Sequence, residues 1–198
     1  GYSAAAKEVH QQLQELGIRV AKDEPLIVYI PCGVGGAPAG IAWGLHHYFG
    51  DAVHVFFAEP VGAPCVTLGL SSTLHDQVCV QDLGIDGQTE ADGLAVSRAS
   101  RLACSMVSDF LAGCFTVTDA ELFEALRALE DADGLFIEPS CCAGLLGPRR
   151  LRQDGSAAKL LEKGTHIFWA TGGALVPKEE RDKFRARSAA SATPGRLI

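Results

Sequence analysis

The chain has 198 residues, 47% of them hydrophobic and 21% charged, with a formal net charge of −7. That length suffices for one sizeable core, and the acidity argues against nucleic acid or an anionic membrane surface as a partner. No apolar run approaches the roughly 20 residues of a membrane span, and the first residues show no signal-peptide pattern.

Residues 4–16 read as a polar helix with Val9, Leu13 and Leu16 on one face. An apolar strand near 26–31 runs into Pro31-Cys32-Gly33-Val34-Gly35-Gly36-Ala37-Pro38, and a helix then continues to about Phe49. Residues 53–57 form a second strand, closed by Ala58-Glu59-Pro60, with a short helix expected near 64–74. A loop rich in Asp and Gly covers 82–93. A long helix follows over 94–111, offering Leu94, Ala95, Leu102, Met106 and Phe110 to the core. After a strand at 114–117, Thr118-Asp119-Ala120-Glu121 is a capping box for a helix to about Glu130. Residues 134–137 are expected as a brief strand leading into a helix at Glu138-Pro139-Ser140, with Ser140 near its cap. A last strand at 166–170 ends in Thr171-Gly172-Gly173. Strands separated by helices imply an α/β fold, an open and mainly parallel sheet with helices on both faces in three αβα layers.

In such a sheet ligands bind beyond the carboxyl ends of the strands. Three exits, the glycine loop, Glu59-Pro60 and Thr171-Gly172-Gly173, then share one edge. A strand feeding a glycine-rich turn that opens a helix is an anion site, because backbone N–H groups and the helix dipole point at the ligand. Counting from Gly33 puts Pro38 at the sixth position, which breaks a dinucleotide fingerprint, and the loop has no lysine for a P-loop. A terminal phosphate monoester on a cofactor held elsewhere by its ring, such as pyridoxal phosphate, fits; so does a purely structural turn. Thr171 reads either as a turn residue or as a hydroxyl facing a cofactor ring atom. A hydroxyl would not hold a pyridine nitrogen protonated, which suits β-elimination. His75-Asp76 is either an acid–base pair or an ordinary loop histidine, and His46-His47 reads as a solvated helix face. The seven cysteines contain no C-x-x-C pair and are expected as reduced, packed thiols of a cytoplasmic protein.

Six blocks carry a resemblance: Pro31–Gly36, Phe56-Phe57-Ala58-Glu59-Pro60, Leu74-His75-Asp76-Gln77, Thr89-Glu90-Ala91-Asp92-Gly93-Leu94-Ala95-Val96, Glu138-Pro139-Ser140, and Trp169-Ala170-Thr171-Gly172-Gly173. In order and spacing they resemble the D-serine ammonia-lyases (D-serine dehydratases), within the tryptophan-synthase β-like, fold-type II pyridoxal-phosphate enzymes. The resemblance runs from residue 1 to about Arg187, and 188–198 reads as a loose tail. It implies a phosphate cup at Gly33, Val34, Gly35 and Gly36, with Ala37 adjoining, and Thr171 facing the pyridine nitrogen. Asp92-Gly93 would line the cofactor's other side. Relatives tend to have glycine at Ala37 and Ala39, so these methyls are expected to narrow the loop. Glu59 matches a carboxylate that binds a divalent cation in related racemases. The companion position here is Cys65, a poor ligand for a hard cation, which leaves Glu59 a monovalent cation or a loop cap.

The resemblance also implies a Schiff-base lysine in a Ser-x-Lys segment, and the chain has none. Its lysines, Lys7, Lys22, Lys159, Lys163, Lys178 and Lys183, sit mostly among polar neighbours. The chain is therefore expected to be the C-terminal portion of such an enzyme, inactive alone, able to self-associate, and completed by the N-terminal portion of the same protein. The whole protein would convert D-serine to pyruvate and ammonia. An L-serine or L-threonine dehydratase, or a non-catalytic domain of the same fold, stays open beside it.

Overall fold

The computed structural model describes residues 1–155 and 158–190. The elements in order are α1 (Ala5–Glu15), β1 (Leu26–Pro31), α2 (Gly36–Phe49), β2 (Val53–Pro60), α3 (Cys65–Ser71), α4 (Arg101–Val107), β3 (Gly113–Val117), α5 (Asp119–Asp133), α6 (Pro139–Cys142), α7 (Gly147–Gln153), α8 (Ala158–Lys163), β4 (Thr165–Phe168) and α9 (Lys178–Ala190). The four strands form one sheet in the order β3-β2-β1-β4, every pair parallel. The register sets Leu26 beside Val53 and Thr165, and Pro60 beside Val117.

Side chains alternate across β1 and divide the core in two. Leu26, Val28 and Ile30 join Val53, Val55 and Phe57 of β2 beneath α1 through α4. Ile27, Tyr29 and Phe56 face the opposite layer with Leu151 of α7, while Ala58 and Val117 meet α5 and α6. Because helices cover both faces, every residue of β1 is buried and the strand reads as a continuous apolar run. Tyr29 fills the middle of the second layer. Its ring stacks on Phe168 at 5.3 Å, and its hydroxyl meets His166 Nδ1 at 3.0 Å.

Four expectations are corrected. The helix over 94–111 is only α4, because the segment before it is spent on other bonds. Ser97 O accepts from Val80 N–H, and Ser100 caps α4 by accepting from Ala103 N–H at 3.3 Å. Leu102 consequently points outward and is 71% exposed. Residues 134–137 form no strand. Gly134 closes α5 with φ of 65°, and Ile137 buries itself by packing against the α5–α6 layer instead of pairing in a ladder. The helix start at Glu138-Pro139-Ser140 is as expected, with Glu138 the N-cap of α6 and Ser140 two residues on, where its hydroxyl bonds to Gly93. The Ala39 methyl is 1% exposed within the core under α2 and does not narrow the loop. The tail expected from 188 is helical through Ala190, and 191–198 lie outside the described residues.

Candidate functional site

The glycine loop joins β1 to α2. Gly35 is the N-cap of α2 with φ of 100°, a left-handed conformation that glycine adopts without strain. No side chain caps this helix, and its first turn contains no acidic residue. The first N–H groups of a helix have no intrahelical acceptor, so this end presents donors and a partial positive charge. A Cβ placed on Gly36 would meet nothing within 4 Å, so the space before these donors is open. Gly33 is closed in by contrast: a Cβ there would lie 3.1 Å from Gly93 O and 3.4 Å from Val96. Ser100 N–H donates to Val34 O at 2.9 Å and pins the loop from the α4 side. A group of small residues with bare amides, closed behind and open in front, fits a terminal phosphate. Ala37, half-buried, adjoins it on the first turn of α2.

From Gly33 a chain of contacts crosses the sheet edge. Gly93 lies over Gly33, next to the exposed Asp92, and its N–H donates to Ser140 Oγ at 3.2 Å. Beside Ser140, Cys141 Sγ accepts the N–H groups of Thr171 and Gly172 at 3.2 and 3.0 Å and lies 3.0 Å from Thr171 Oγ1. Glu138 N–H donates to Gly172 O at 3.3 Å, and a Cβ on Gly172 would sit 3.0 Å from the Glu138 carboxylate. The structure thus brings together Gly33, Val34, Gly35, Gly36, Asp92, Gly93 and Thr171, residues from three separate stretches of sequence. Thr171 is exposed at this edge, with its hydroxyl already in contact with the Cys141 sulfur. Ser140 and Cys141 are the site residues that sequence reasoning missed. Glu138-Pro139 signals a helix start, but nothing local shows that the next two side chains tie two loops together.

Glu59, wholly buried at the end of β2, spends its carboxylate on α3. Oε1 accepts Val66 N–H at 2.8 Å, and Oε2 accepts Thr67 N–H at 2.8 Å and the Thr67 hydroxyl at 2.5 Å. Burial pushes this carboxyl up to about 7, against the hydrogen bonds from Thr67 and Val66 that pull it down. Burial likewise pushes the neighbouring Cys65 thiol up to about 12, with the Glu59 charge adding to the rise. Among the described residues no three His, Cys, Asp or Glu side chains cluster as metal ligands.

Other candidates lie apart from this chain of contacts. His75, with φ of 53°, lines a separate groove of about 500 Å³ with Thr73 and Cys114. Asp76 O accepts from Arg98 at 2.6 Å. His46 stacks on Phe110 at 4.4 Å and His47 on Trp43 at 5.7 Å, so this helix face packs aromatic rings as well as meeting solvent. Lys7, Lys22, Lys163, Lys178 and Lys183 are all exposed, and Lys22 and Lys183 are paired with Asp51 and Glu180. The side chain of Lys159 lies outside the described residues. Among the described residues no helix is long and apolar enough to cross a membrane.

Comparison with known proteins shows the family and the fold. The family described as pyridoxal-phosphate dependent enzyme matches residues 1–171. A probable D-serine dehydratase of Desulfitobacterium hafniense is 47% identical over 94% of this chain, and one of Halalkalibacterium halodurans is 51% identical over 91%. The matches cover only 44% and 42% of those proteins, so the chain spans under half the length of the curated relatives it matches. Among solved structures, an L-serine ammonia-lyase from Rhizomucor miehei superposes with a TM-score of 0.74 at 22% identity, covering 94% of this chain and 55% of its own. The processed threonine deaminase isoform 2 of Solanum lycopersicum gives 0.69 at 20% identity, covering 96% and 47%. These two share the fold-type II architecture.

Proposed function

The chain belongs to the family of pyridoxal-phosphate dependent enzymes, and from that premise we propose that it forms the phosphate-binding part of a D-serine ammonia-lyase, which converts D-serine to pyruvate and ammonia by β-elimination. The observation that carries this reading is the uncapped N-terminus of α2 sharing a sheet edge with Thr171, the two linked through Gly93, Ser140 and Cys141. The identity to probable D-serine dehydratases supports the substrate.

The amides at Gly35, Gly36 and Ala37 would hold the phosphate by hydrogen bonds and by the dipole of α2. Thr171 would offer its hydroxyl to the ring nitrogen, with Asp92-Gly93 lining the opposite side. Pyridoxal phosphate, when bound, is the electron sink that makes loss of the substrate's α-proton feasible. A neutral hydroxyl at the ring nitrogen leaves that sink moderate, so departure of the β-hydroxyl competes well with reprotonation at the α-carbon. Glu59 holds α3 by its N-terminus, through the same oxygens that a monovalent cation would use. The amine that tethers the cofactor is assigned to the part of the protein beyond this span, because the described lysines are all on the surface.

The test is pyruvate release by the complete protein from D-serine and, in parallel, from L-serine and L-threonine. Turnover of D-serine that falls in Thr171→Val with modest loss of cofactor affinity is the expected result. Preference for either L-amino acid would move the protein to the L-serine or L-threonine dehydratases. Failure to bind pyridoxal phosphate at all would leave a non-catalytic domain.

A further inference from the structure

Cys141 is 2% exposed, and its sulfur has unusually full employment for a weak hydrogen-bonding atom. It accepts two consecutive backbone amides, from Thr171 at 3.2 Å and Gly172 at 3.0 Å. With both amides directed at the sulfur, a third donor has little to gain there. The thiol proton must then be donated, and three oxygens are within reach. Thr171 Oγ1 is nearest at 3.0 Å, then Gly172 O at 3.3 Å and Glu138 Oε1 at 3.6 Å. Burial pushes this thiol above its ordinary range, which keeps that proton on the sulfur at neutral pH.

A Thr171 oxygen that accepts from the sulfur keeps its own proton for the other side. Its hydroxyl is then fixed as an outward donor, the polarity an unprotonated ring nitrogen requires. Without the thiol, the hydroxyl would rotate freely between donating and accepting, and the turn that carries it would lose two hydrogen bonds. Ser140, the preceding residue, holds Gly93 in the same turn, so the side chain that orients Thr171 is itself anchored to the opposite wall of the site.

We propose that Cys141 is a positioning residue: its thiol gathers the Thr171 and Gly172 amides and commits the Thr171 hydroxyl to donate outward. This rests on the reading that Thr171 faces the cofactor ring, and two independent measurements separate the two ideas. The first needs no cofactor. In this chain, hydrogen exchange at the Thr171 and Gly172 amides should accelerate about tenfold in Cys141→Val, the loss of one hydrogen bond's worth of protection. Cys142→Ala, which removes a buried thiol one position away, should leave those two amides unchanged. Cys141→Ala should give the same pattern as valine and serves if valine overfills the site.

The second measurement uses the complete enzyme with D-serine. Cys141→Val should lower kcat about tenfold with KM within about twofold, and Cys141→Ser, which keeps a polar hydrogen at that place, should restore most of it. In a Thr171→Val background the Cys141 substitution should have no further effect on kcat, because the thiol acts only through that hydroxyl. A lowered kcat in Thr171→Val, with Cys141→Val unchanged in both amide exchange and kcat, overturns the proposal. Additive losses in the double variant also overturn it. Accelerated exchange in Cys141→Val with an unaltered kcat in Thr171→Val places the error in the ring-facing reading, and the hydroxyl's role in the reaction falls with it.

Discussion

Gly35 and Gly36 are adjacent and make opposite demands. Gly35 has φ of 100°, and a Cβ would come within 2.9 Å of the Ala103 methyl, so the fold itself requires glycine there. Gly36 has an ordinary backbone and open space, so only a ligand would object to a methyl. Gly35→Ala should therefore destabilise the protein by about 1–3 kcal/mol, the cost of a left-handed non-glycine residue. Gly36→Ala should leave the urea midpoint nearly unchanged and weaken pyridoxal phosphate binding about tenfold, or about 1.4 kcal/mol. Cofactor affinity unaltered in Gly36→Ala would remove the phosphate from this loop. Glu59 sets a different residue-level expectation. Its carboxyl is raised from an ordinary 4.5 to about 7 by burial, so between those values the folded chain binds more protons than the unfolded one. Its contribution makes stability fall as pH rises through that window and level off above it. Urea midpoints measured from pH 4.5 to 8 should show this decline, and Glu59→Gln, although weaker throughout for want of a second acceptor, should lose that part of the slope. The glycine spacing was readable from sequence; which of the two glycines serves the backbone and which the ligand was not, since that depends on Ala103 sixty-odd positions away.

At the scale of elements, what could be read was local. Thr118 and Glu121 form the expected capping box, Thr118 Oγ1 accepting Glu121 N–H at 3.3 Å while the Glu121 carboxylate accepts Thr118 N–H at 2.9 Å. Glu121 also takes Arg150 of α7 at 2.6 Å, so the cap doubles as a bridge between two helices. Thr118→Ala should cost about 1 kcal/mol in urea unfolding. A loss below a few tenths would show that the Arg150 bridge alone holds this helix end. β1 and β2 were legible because both sheet faces are covered, which makes long apolar runs. The helix over 94–111 was not, because Leu94, Leu102, Met106 and Phe110 mimic one helical face while Ser97 O and the Ser100 cap commit the chain to a later start. Residues 134–137 misled for the converse reason: an apolar run buried by packing looks, in sequence, like one buried in a sheet.

Across the whole molecule, parallel topology carries the glycine loop, Glu59 and Thr171 to one edge, and that juxtaposition followed from alternating strands and helices alone. The links through Ser140 and Cys141 did not, since they join residues 47 and 30 positions apart. Every lysine with a described side chain lies on the surface. Treating this chain with pyridoxal phosphate and then borohydride should accordingly yield no single stoichiometric lysine adduct by mass spectrometry. One specific adduct, with pyruvate formed from D-serine, would make a lysine of this chain the cofactor's anchor. The sheet also imposes an order in time. Of the four described strands β1 is made first, yet Tyr29 meets its partner His166 only across 137 residues. At a synthesis rate of roughly 5–20 residues per second, the glycine loop exists for on the order of ten seconds before Thr171 is even polymerised. Until β4 docks, one side of the buried core strand stands bare, a template for the wrong neighbour. Among the described strands, the last hydrogen-bonded ladder to form is therefore the one that completes the candidate site, and synthesis that ends before residue 165 would leave a chain with its glycine loop built and nothing opposite it.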